Sequence, residues 1–224
     1  MKRKEVINIS KKRKTPQGEF RNSERTKRKL INSIGKIIKY HGYNGINVNR
    51  IEELSGVDKK LIYFHFGGVS NLVEAYLQEA DYWENLNMAA YTEEMRTIEP
   101  GKDELIQLLQ NQFNFFYKNK ESQGMILWEI SEKNKYLRNI ADKREQMGKQ
   151  LFSLIDHDFE NTNLDIRALN ALLISGIYYL VLHAKNNGST FCEIDINKQE
   201  DKKRIEDTLE EIISLFYKEA KQRK

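Results

Sequence analysis

The chain has 224 residues, of which 39% are hydrophobic and 31% are charged, and its formal net charge is +4. This apolar fraction excludes a wholly disordered chain, and the length permits one or two domains with a hydrophobic core. Two prolines and 12 glycines are too few turn-forming residues for an all-β protein, so the composition favours a mostly helical fold.

The predicted elements begin with a disordered basic arm over residues 1–20, which is polar and has no periodic pattern. A helix is expected from Asn22 to Tyr40, because apolar residues recur there at helical spacing, and Ser23 is its expected cap. The chain is then expected to form two short helices and a longer one.

Capping residues mark the starts of these helices. Asn47 is expected to cap the first short helix, and Asp58 the second, Lys59 to Phe66. Gly56 lies in the tight turn between them, where the backbone must bend sharply. Ser70 is expected to cap the longer helix.

The remainder of the chain is predicted to stay helical. Gly124 is expected to interrupt one helix, and residues 158–163 and 186–189 are expected loops. The segment from Leu164 to Ala184 is apolar nearly all round, which predicts burial on more than one side. It also contains Ser175, Gly176 and His183 and is short, so we do not expect a membrane partner.

Charge is distributed unevenly along the chain. Residues 1–66 contain 17 Lys or Arg and 6 Asp or Glu, a net charge of +11, whereas residues 67–224 contain 20 and 27, a net charge of −7. This asymmetry indicates that the N-terminal part contacts a polyanion. Composition alone also allows a solvated basic surface.

The two short helices and their turn form a candidate helix-turn-helix. Lys59 and Lys60 lie at the N-terminal end of the second helix, which in this motif enters the major groove. Ile62 and Phe66 are four residues apart and are expected to anchor the helix, and Phe64 is also interpreted as core. Spacing alone leaves two interpretations open, DNA binding and an ordinary helical turn with lysines.

The segment from Asn22 to Trp83 resembles the TetR family of bacterial transcriptional repressors. The resemblance is carried by Ile34, His41-Gly42-Tyr43, Val48, Ile51, Gly56-Val57, Ile62-Tyr63-Phe64-His65-Phe66 and Leu72. It implies an all-α fold with a three-helix helix-turn-helix DNA-binding domain over residues 21–68. It also implies a helical effector-binding and dimerisation domain over residues 69–224.

The resemblance further implies which residues contact a double-stranded DNA operator. These residues are Asn47, Asn49, Lys59, Lys60, Leu61, Tyr63 and His65. The family commonly has Lys or Arg three residues after the last aromatic residue of the motif, where this chain has Val69. Backbone N–H groups at the start of the next helix, or the basic arm, are hypothesised to hold the phosphate instead.

The C-terminal part contains 17 of the 23 aromatic residues, and aromatic-lined pockets between helices are common ligand sites. Core packing is the alternative role for such residues. The ligand-binding candidates are Trp83, Tyr91, Phe113, Phe116, Trp128, Phe152 and Tyr179. Glu129 and Glu132 beside Trp128 suggest either a cationic ligand or a solvated helix face.

Small residues in the apolar segment and apolar residues in the last helix predict a homodimer with a four-helix interface. An intramolecular hairpin is the alternative. The interface candidates are Ala168, Ala171, Ser175, Gly176, Leu209, Ile212, Ile213 and Phe216.

The single cysteine, Cys192, excludes an intramolecular disulfide framework and is typical of a cytoplasmic protein. Metal-ligand spacing, a phosphate-binding glycine loop and a nucleophile elbow are all missing, so we expect neither an enzyme nor a cofactor. The resemblance to the TetR family implies a repressor that a small-molecule effector releases from a palindromic operator. The alternative is a DNA-binding regulator without such an effector, controlled by a protein partner or by expression level.

Overall fold

Nine α-helices dominate residues 16–80 and 101–224, the part of the chain that the computed structural model describes. They are α1 (Pro16–His41), α2 (Val48–Ser55), α3 (Lys60–Phe66), α4 (Val69–Ala80), α5 (Lys102–Lys118), α6 (Lys120–Ser131), α7 (Lys135–Phe159), α8 (Ile166–Asn186) and α9 (Gln199–Arg223). A 3-10 helix, Tyr43–Gly45, links α1 to α2. Within these ranges the only β-pairing is an isolated bridge between Phe191 and Ile194, so the all-α prediction is confirmed.

The first helix starts earlier than predicted. α1 begins at Pro16, so residues 16–20 belong to this helix instead of a disordered arm, and Ser23 lies inside it instead of capping it. Proline is favoured in a first helical turn because its fixed φ suits the helix and it leaves no N–H unpaired. The rest of the predicted arm, residues 1–15, lies outside the described residues.

Local signals define the two short helices, but the second begins at Lys60, one residue later than predicted, so Lys59 and not Asp58 is its N-cap. Asn47 Oδ1 accepts a hydrogen bond from the Arg50 N–H at 3.0 Å and caps α2. Gly56 ends α2 in the left-handed region with φ 63°, which glycine adopts without steric cost. Asp58 Oδ1 accepts a hydrogen bond from the Lys60 N–H at 2.8 Å at the start of α3.

The start of α4 differs from the prediction by one residue. The helix begins at Val69, so Ser70 lies in its first turn instead of at the cap. Asn71 closes the preceding helix, because its Nδ2 donates a hydrogen bond to the Phe66 carbonyl oxygen at 2.7 Å. The predicted continuation of this helix to Trp83 lies outside the described residues.

The buried apolar residues form two clusters. The N-terminal cluster joins α1, α2, α3 and α4, and it includes Trp128 from α6 and Leu137 from α7. The C-terminal cluster joins α5 to α9 around residues such as Phe113 and Val181, both fully buried. The N-terminal cluster therefore anchors helices α1 to α4 on α6 and α7 of the larger, C-terminal half.

Gly124 lies inside α6 and does not interrupt it, contrary to the prediction. A Cβ at this position would lie 2.5 Å from Ile38 Cγ2 of α1. A Cβ on Gly35 of α1 would likewise lie 2.9 Å from both the Tyr76 ring and a carboxylate oxygen of Glu121. The two glycines therefore allow α1 and α6 to approach closely.

The interface between α1, α4 and α6 also holds a buried polar contact. The Tyr76 hydroxyl donates a hydrogen bond to Glu121 Oε2 at 3.2 Å. Burial raises the pKa of the Tyr76 hydroxyl, and the Glu121 carboxylate raises it further. The phenol therefore stays protonated and keeps its role as a donor.

Among the described helices, α8 is the one that is long and apolar enough to cross a membrane by length and composition. Its residues Ile177 and Val181 are buried in the C-terminal cluster, whereas Leu172 and Tyr179 are 71% and 52% exposed. The predicted burial on more than one side is therefore not found among the described residues, where the face of α8 that carries Leu172 and Tyr179 remains uncovered.

Candidate DNA-binding surface and internal cavity

Helix α3 has one buried side and one exposed side. Ile62 is fully buried, and Phe66 packs half-buried against the same N-terminal cluster. Tyr63 and Phe64 are 56% and 78% exposed. The helix is thus anchored through Ile62 and Phe66, with Leu61 half-buried against the same cluster, while Tyr63 and Phe64 remain exposed.

The predicted DNA contacts are mostly at the surface. The exposed ones are Asn47, Asn49, Lys59, Lys60 and Tyr63, and the half-buried ones are Leu61 and His65. Glu52 of α2 holds the start of α3, because its Oε1 accepts a hydrogen bond from the Lys59 N–H at 3.2 Å. Its other oxygen lies 4.0 Å from Lys59 Nζ, so this carboxylate partly offsets the charge of Lys59.

Phe64 was predicted to be core, and this prediction is wrong. A helix turns about 100° per residue, so Phe64 points away from both Ile62 and Phe66, which lie two residues on either side of it. Its ring packs edge-on to His65, with ring centroids 4.9 Å apart. The helical period of α3 could have identified this exposed aromatic residue from the sequence.

The loop between α3 and α4 consists of two glycines with positive φ. Gly67 has φ 74° and ends α3, and Gly68 has φ 157°. Val69 packs half-buried against the N-terminal cluster, so its side chain is not directed to solvent as a basic side chain would be. The first backbone N–H groups of α4 have no partner within their own helix, as at any helix start.

A cavity of about 240 Å³ lies between α5, α6, α7 and α8. Most of its wall is apolar. The apolar lining residues are Leu105, Leu108, Leu109, Ala141, Leu151, Phe152, Ile155 and Ile174. Its volume exceeds the ~150 Å³ of an engineered cavity that binds benzene, so the space fits an organic molecule larger than one ring.

Polar side chains complete the cavity wall. They are Glu104, Gln112, Glu129, Arg144, Glu145, Asn170 and Tyr178. Arg144 forms an ion pair with Glu129. Gln112 Nε2 donates a hydrogen bond to the Tyr178 hydroxyl at 3.0 Å, while Gln112 Oε1 is buried and has no hydrogen-bond partner among the described residues.

Of the five predicted ligand-binding residues that the structure describes, only Phe152 lies in this wall. Phe113 and Phe116 are buried in the C-terminal cluster instead, and Tyr179 is exposed and stacks on His183 at 5.6 Å. Its neighbour Tyr178 lines the cavity. Aromatic content alone did not identify Tyr178, because α8 is too uniformly apolar to reveal which side faces inward.

The last ligand candidate that the structure describes, Trp128, lies elsewhere. Trp128 belongs to the N-terminal cluster, where it stacks on Tyr43 with ring centroids 5.3 Å apart and planes within 6°. Its Nε1 donates a hydrogen bond to Glu132. Trp83 and Tyr91 lie outside the described residues.

The predicted dimer residues divide into two groups. Ala168, Ala171 and Ser175 are exposed on α8, and Gly176, Ile212 and Phe216 are half-buried. Leu209 and Ile213 are buried within the chain, so they are not available for a dimer contact. They lie four residues apart on the side of α9 that belongs to the C-terminal cluster.

Three solved structures, all of them of transcriptional regulators, share this fold. FadR from Bacillus subtilis, in complex with stearoyl-CoA, has a TM-score of 0.54 and 16% identity and covers 83% of this chain and 96% of that chain. FadR from Bacillus halodurans, a fatty acid degradation regulator, has a TM-score of 0.56 and 17% identity and covers 92% of this chain and 97% of that chain. NalD from Pseudomonas aeruginosa, the secondary repressor of the MexAB-OprM multidrug efflux pump, has a TM-score of 0.52 and 14% identity and covers 87% of this chain and 96% of that chain.

No family model and no curated protein sequence matches the chain. The likeness therefore concerns the fold. The protein has the all-α fold of helical transcriptional regulators, with an N-terminal helix-turn-helix domain and a larger helical domain after it.

Proposed function

We propose that this protein is a cytoplasmic, homodimeric transcriptional repressor of the TetR family, released from a palindromic operator by a small-molecule effector. The observation that carries the proposal is the arrangement of α3. This helix is anchored by Ile62 and exposes Lys60, Tyr63 and Phe64 beside a capped supporting helix. Its N-terminal end enters the major groove.

Each exposed group of α3 matches a feature of DNA. Lys60 donates to guanine O6 and N7 or to a phosphate oxygen. The Tyr63 hydroxyl suits a phosphate oxygen. Phe64, which the sequence prediction had assigned to the core, provides an apolar ring for a thymine methyl group.

Backbone groups supply the phosphate contact for which the family commonly uses a basic side chain. The first N–H groups of α4, after Gly67 and Gly68, form a helix N-terminus that attracts an anion. The basic residues before α1 add contacts to DNA phosphates that do not depend on the base sequence. The net charge of +11 in residues 1–66 supports both contributions.

The internal cavity is the proposed effector site. Helix α6 contributes Glu129 to the cavity wall and contacts α1 through Gly124, so a ligand that shifts α6 also shifts the DNA-binding helices. The free energy of effector binding typically differs by about 1–3 kcal/mol between the state that binds DNA and the state that does not. The complex of Bacillus subtilis FadR with stearoyl-CoA supports an effector with an apolar portion.

The homodimer is supported by the uncovered face of α8. Ala168, Leu172, Ser175 and Tyr179 follow one another at helical spacing and are all exposed. Small residues in such a stripe permit close helix approach, and the two larger apolar side chains supply the buried area. A two-fold dimer presents two α3 helices to successive major grooves.

The test begins with DNA fragments selected by the purified full-length protein. Gel-shift assays on a selected fragment then compare Lys60→Ala and Tyr63→Phe with Lys133→Ala, an exposed lysine between α6 and α7. We expect Lys60→Ala to weaken binding about tenfold and Tyr63→Phe severalfold, and Lys133→Ala to bind like the wild type. Wild-type affinity and sequence preference in both α3 variants would contradict the proposed recognition surface.

A further inference from the structure

We propose that the cavity between α5, α6, α7 and α8 takes a lipophilic organic cation with an N–H donor, such as an aryl-alkyl amine. This inference rests on the proposed function, because it names the chemical class of the effector. Two independent features of the cavity wall carry it. One is its charge balance, and the other is a buried acceptor that lacks a donor.

Carboxylates outnumber cations among the described residues of the cavity wall. In this described part, Glu104, Glu129 and Glu145 contribute three carboxylates and Arg144 one guanidinium, a formal excess of two negative charges. Arg144 is already engaged by Glu129, and the side chains of this pair are only 16% and 28% exposed. An anionic ligand finds no unpaired cation among these lining residues, whereas a cation gains from the excess charge.

Two of the carboxylates are held in place by contacts. Glu104 Oε2 accepts a hydrogen bond from the Gly101 N–H at 2.9 Å at the start of α5. Glu129 is held by Arg144 of α7, and Glu145 follows that arginine in the sequence and is exposed. The negative charge of Glu104 and Glu129 is thus positioned on α5 and α6 before a ligand arrives.

Gln112 provides the second feature. This side chain is 3% exposed, and its donor group is used by the Tyr178 hydroxyl. Its Oε1 is buried and has no hydrogen-bond partner in the part of the chain that the structure describes. A buried acceptor without a donor is unfavourable, so a ligand N–H that reaches it from the cavity is favoured over a ligand that offers only acceptors.

The apolar part of the wall defines the rest of the ligand. Leu105, Leu109, Phe152 and Ile155 provide a surface for a hydrocarbon or aromatic body. The volume of about 240 Å³ accommodates one ring with a short chain. A phenyl ring joined through a short alkyl chain to an amine therefore combines the apolar and the cationic part in a molecule of suitable size.

The test is isothermal titration calorimetry of the full-length protein with three probes of matched shape: 4-phenylbutylamine, 4-phenylbutanol and 4-phenylbutyrate. We expect the amine to bind about tenfold or more tightly than the carboxylate, with the alcohol between them. Equal affinities, tighter binding of the carboxylate, or no heat from any of the three would overturn the proposal.

Two variants locate the effect in the cavity. Glu145→Gln is expected to weaken amine binding about threefold to fivefold, whereas the control Glu160→Gln, an exposed carboxylate outside the cavity, leaves it unchanged. Gln112→Met is expected to weaken amine binding about tenfold. If Gln112→Met fails to fold, the Glu145 comparison carries the test. Unchanged amine affinity in Glu145→Gln or in folded Gln112→Met overturns the proposal.

The same preparations are tested for operator binding, which separates this inference from the proposed function. Operator binding without amine binding rejects the ligand class and leaves a DNA-binding regulator. Loss of specific DNA binding by the wild-type protein rejects the proposed function, whatever the amine does. Release of the operator by 4-phenylbutylamine, but not by 4-phenylbutyrate, supports both.

Discussion

Two ion pairs on α9 have the same spacing but different burial. Lys202–Glu206 and Lys203–Asp207 are both four residues apart. The side chains of the first pair are 10% and 16% exposed, and those of the second are 60% and 57% exposed. The first pair is also hydrogen-bonded to Asn114 of α5, so it ties two helices together.

We expect Glu206→Gln to lower the free energy of unfolding by about 2 kcal/mol, because it leaves the buried ammonium of Lys202 without its carboxylate. Asp207→Asn is the matched control, and we expect little measurable change because an exposed pair is well solvated. Urea unfolding at pH 7 measures both. An equal decrease in the free energy of unfolding in the two variants would show that burial does not make one ion pair more stabilising than the other.

The Glu206 pair also predicts a pH dependence. Burial alone would raise the pKa of the Glu206 carboxyl, but hydrogen bonds from Lys202 and Asn114 outweigh it and lower this pKa below its ordinary value of 4.5. The stabilisation by the Glu206 carboxylate is therefore complete at pH values above the ordinary pKa. It is lost as the pH falls through the lower pKa that this carboxyl has in the folded protein. The stability difference between wild type and Glu206→Gln should narrow in acid, and a constant difference would contradict this.

At the residue scale, the sequence predicted local features well. Asn47 and Gly56 could be assigned because capping and left-handed turns depend on neighbouring residues alone. The cavity residues Tyr178 and Gln112 could not be assigned from the sequence, because their positions depend on how α5 and α8 pack. The sequence pattern of a uniformly apolar helix does not specify that packing.

At the element scale, the crossing of α1 and α6 depends on Gly124. We expect Gly124→Ala to destabilise the protein by about 1–3 kcal/mol, although alanine favours helix, because its Cβ would lie 2.5 Å from Ile38 Cγ2. Gly148→Ala in α7 is the control, since nothing lies within 4 Å of its Cβ. This variant should gain up to about 1 kcal/mol.

Thermal unfolding of both glycine variants measures the contrast, and opposite signs are the expected result. Stabilisation by both substitutions would mean that α6 can move away from α1 at no cost. The sequence suggested a break at Gly124, because glycine often ends a helix. A close helix crossing is a tertiary contact, and one chain segment alone cannot reveal it.

At the scale of the whole molecule, the uncovered face of α8 predicts association. We expect Leu172→Glu to give a monomer in sedimentation at micromolar concentration, because a charge would be buried between two copies. Ile130→Glu is the control, since Ile130 is 69% exposed on α6, in comparison with 71% for Leu172. Wild-type sedimentation of Leu172→Glu would contradict an interface through α8.

The stack of Trp128 on Tyr43 has a practical consequence. The indole belongs to the larger helical half, and the phenol belongs to the segment that joins α1 to α2. Any rotation between these halves changes the environment of a natural fluorophore. Intrinsic emission can therefore report the conformational state of the protein in solution, without a bound partner and without an attached label.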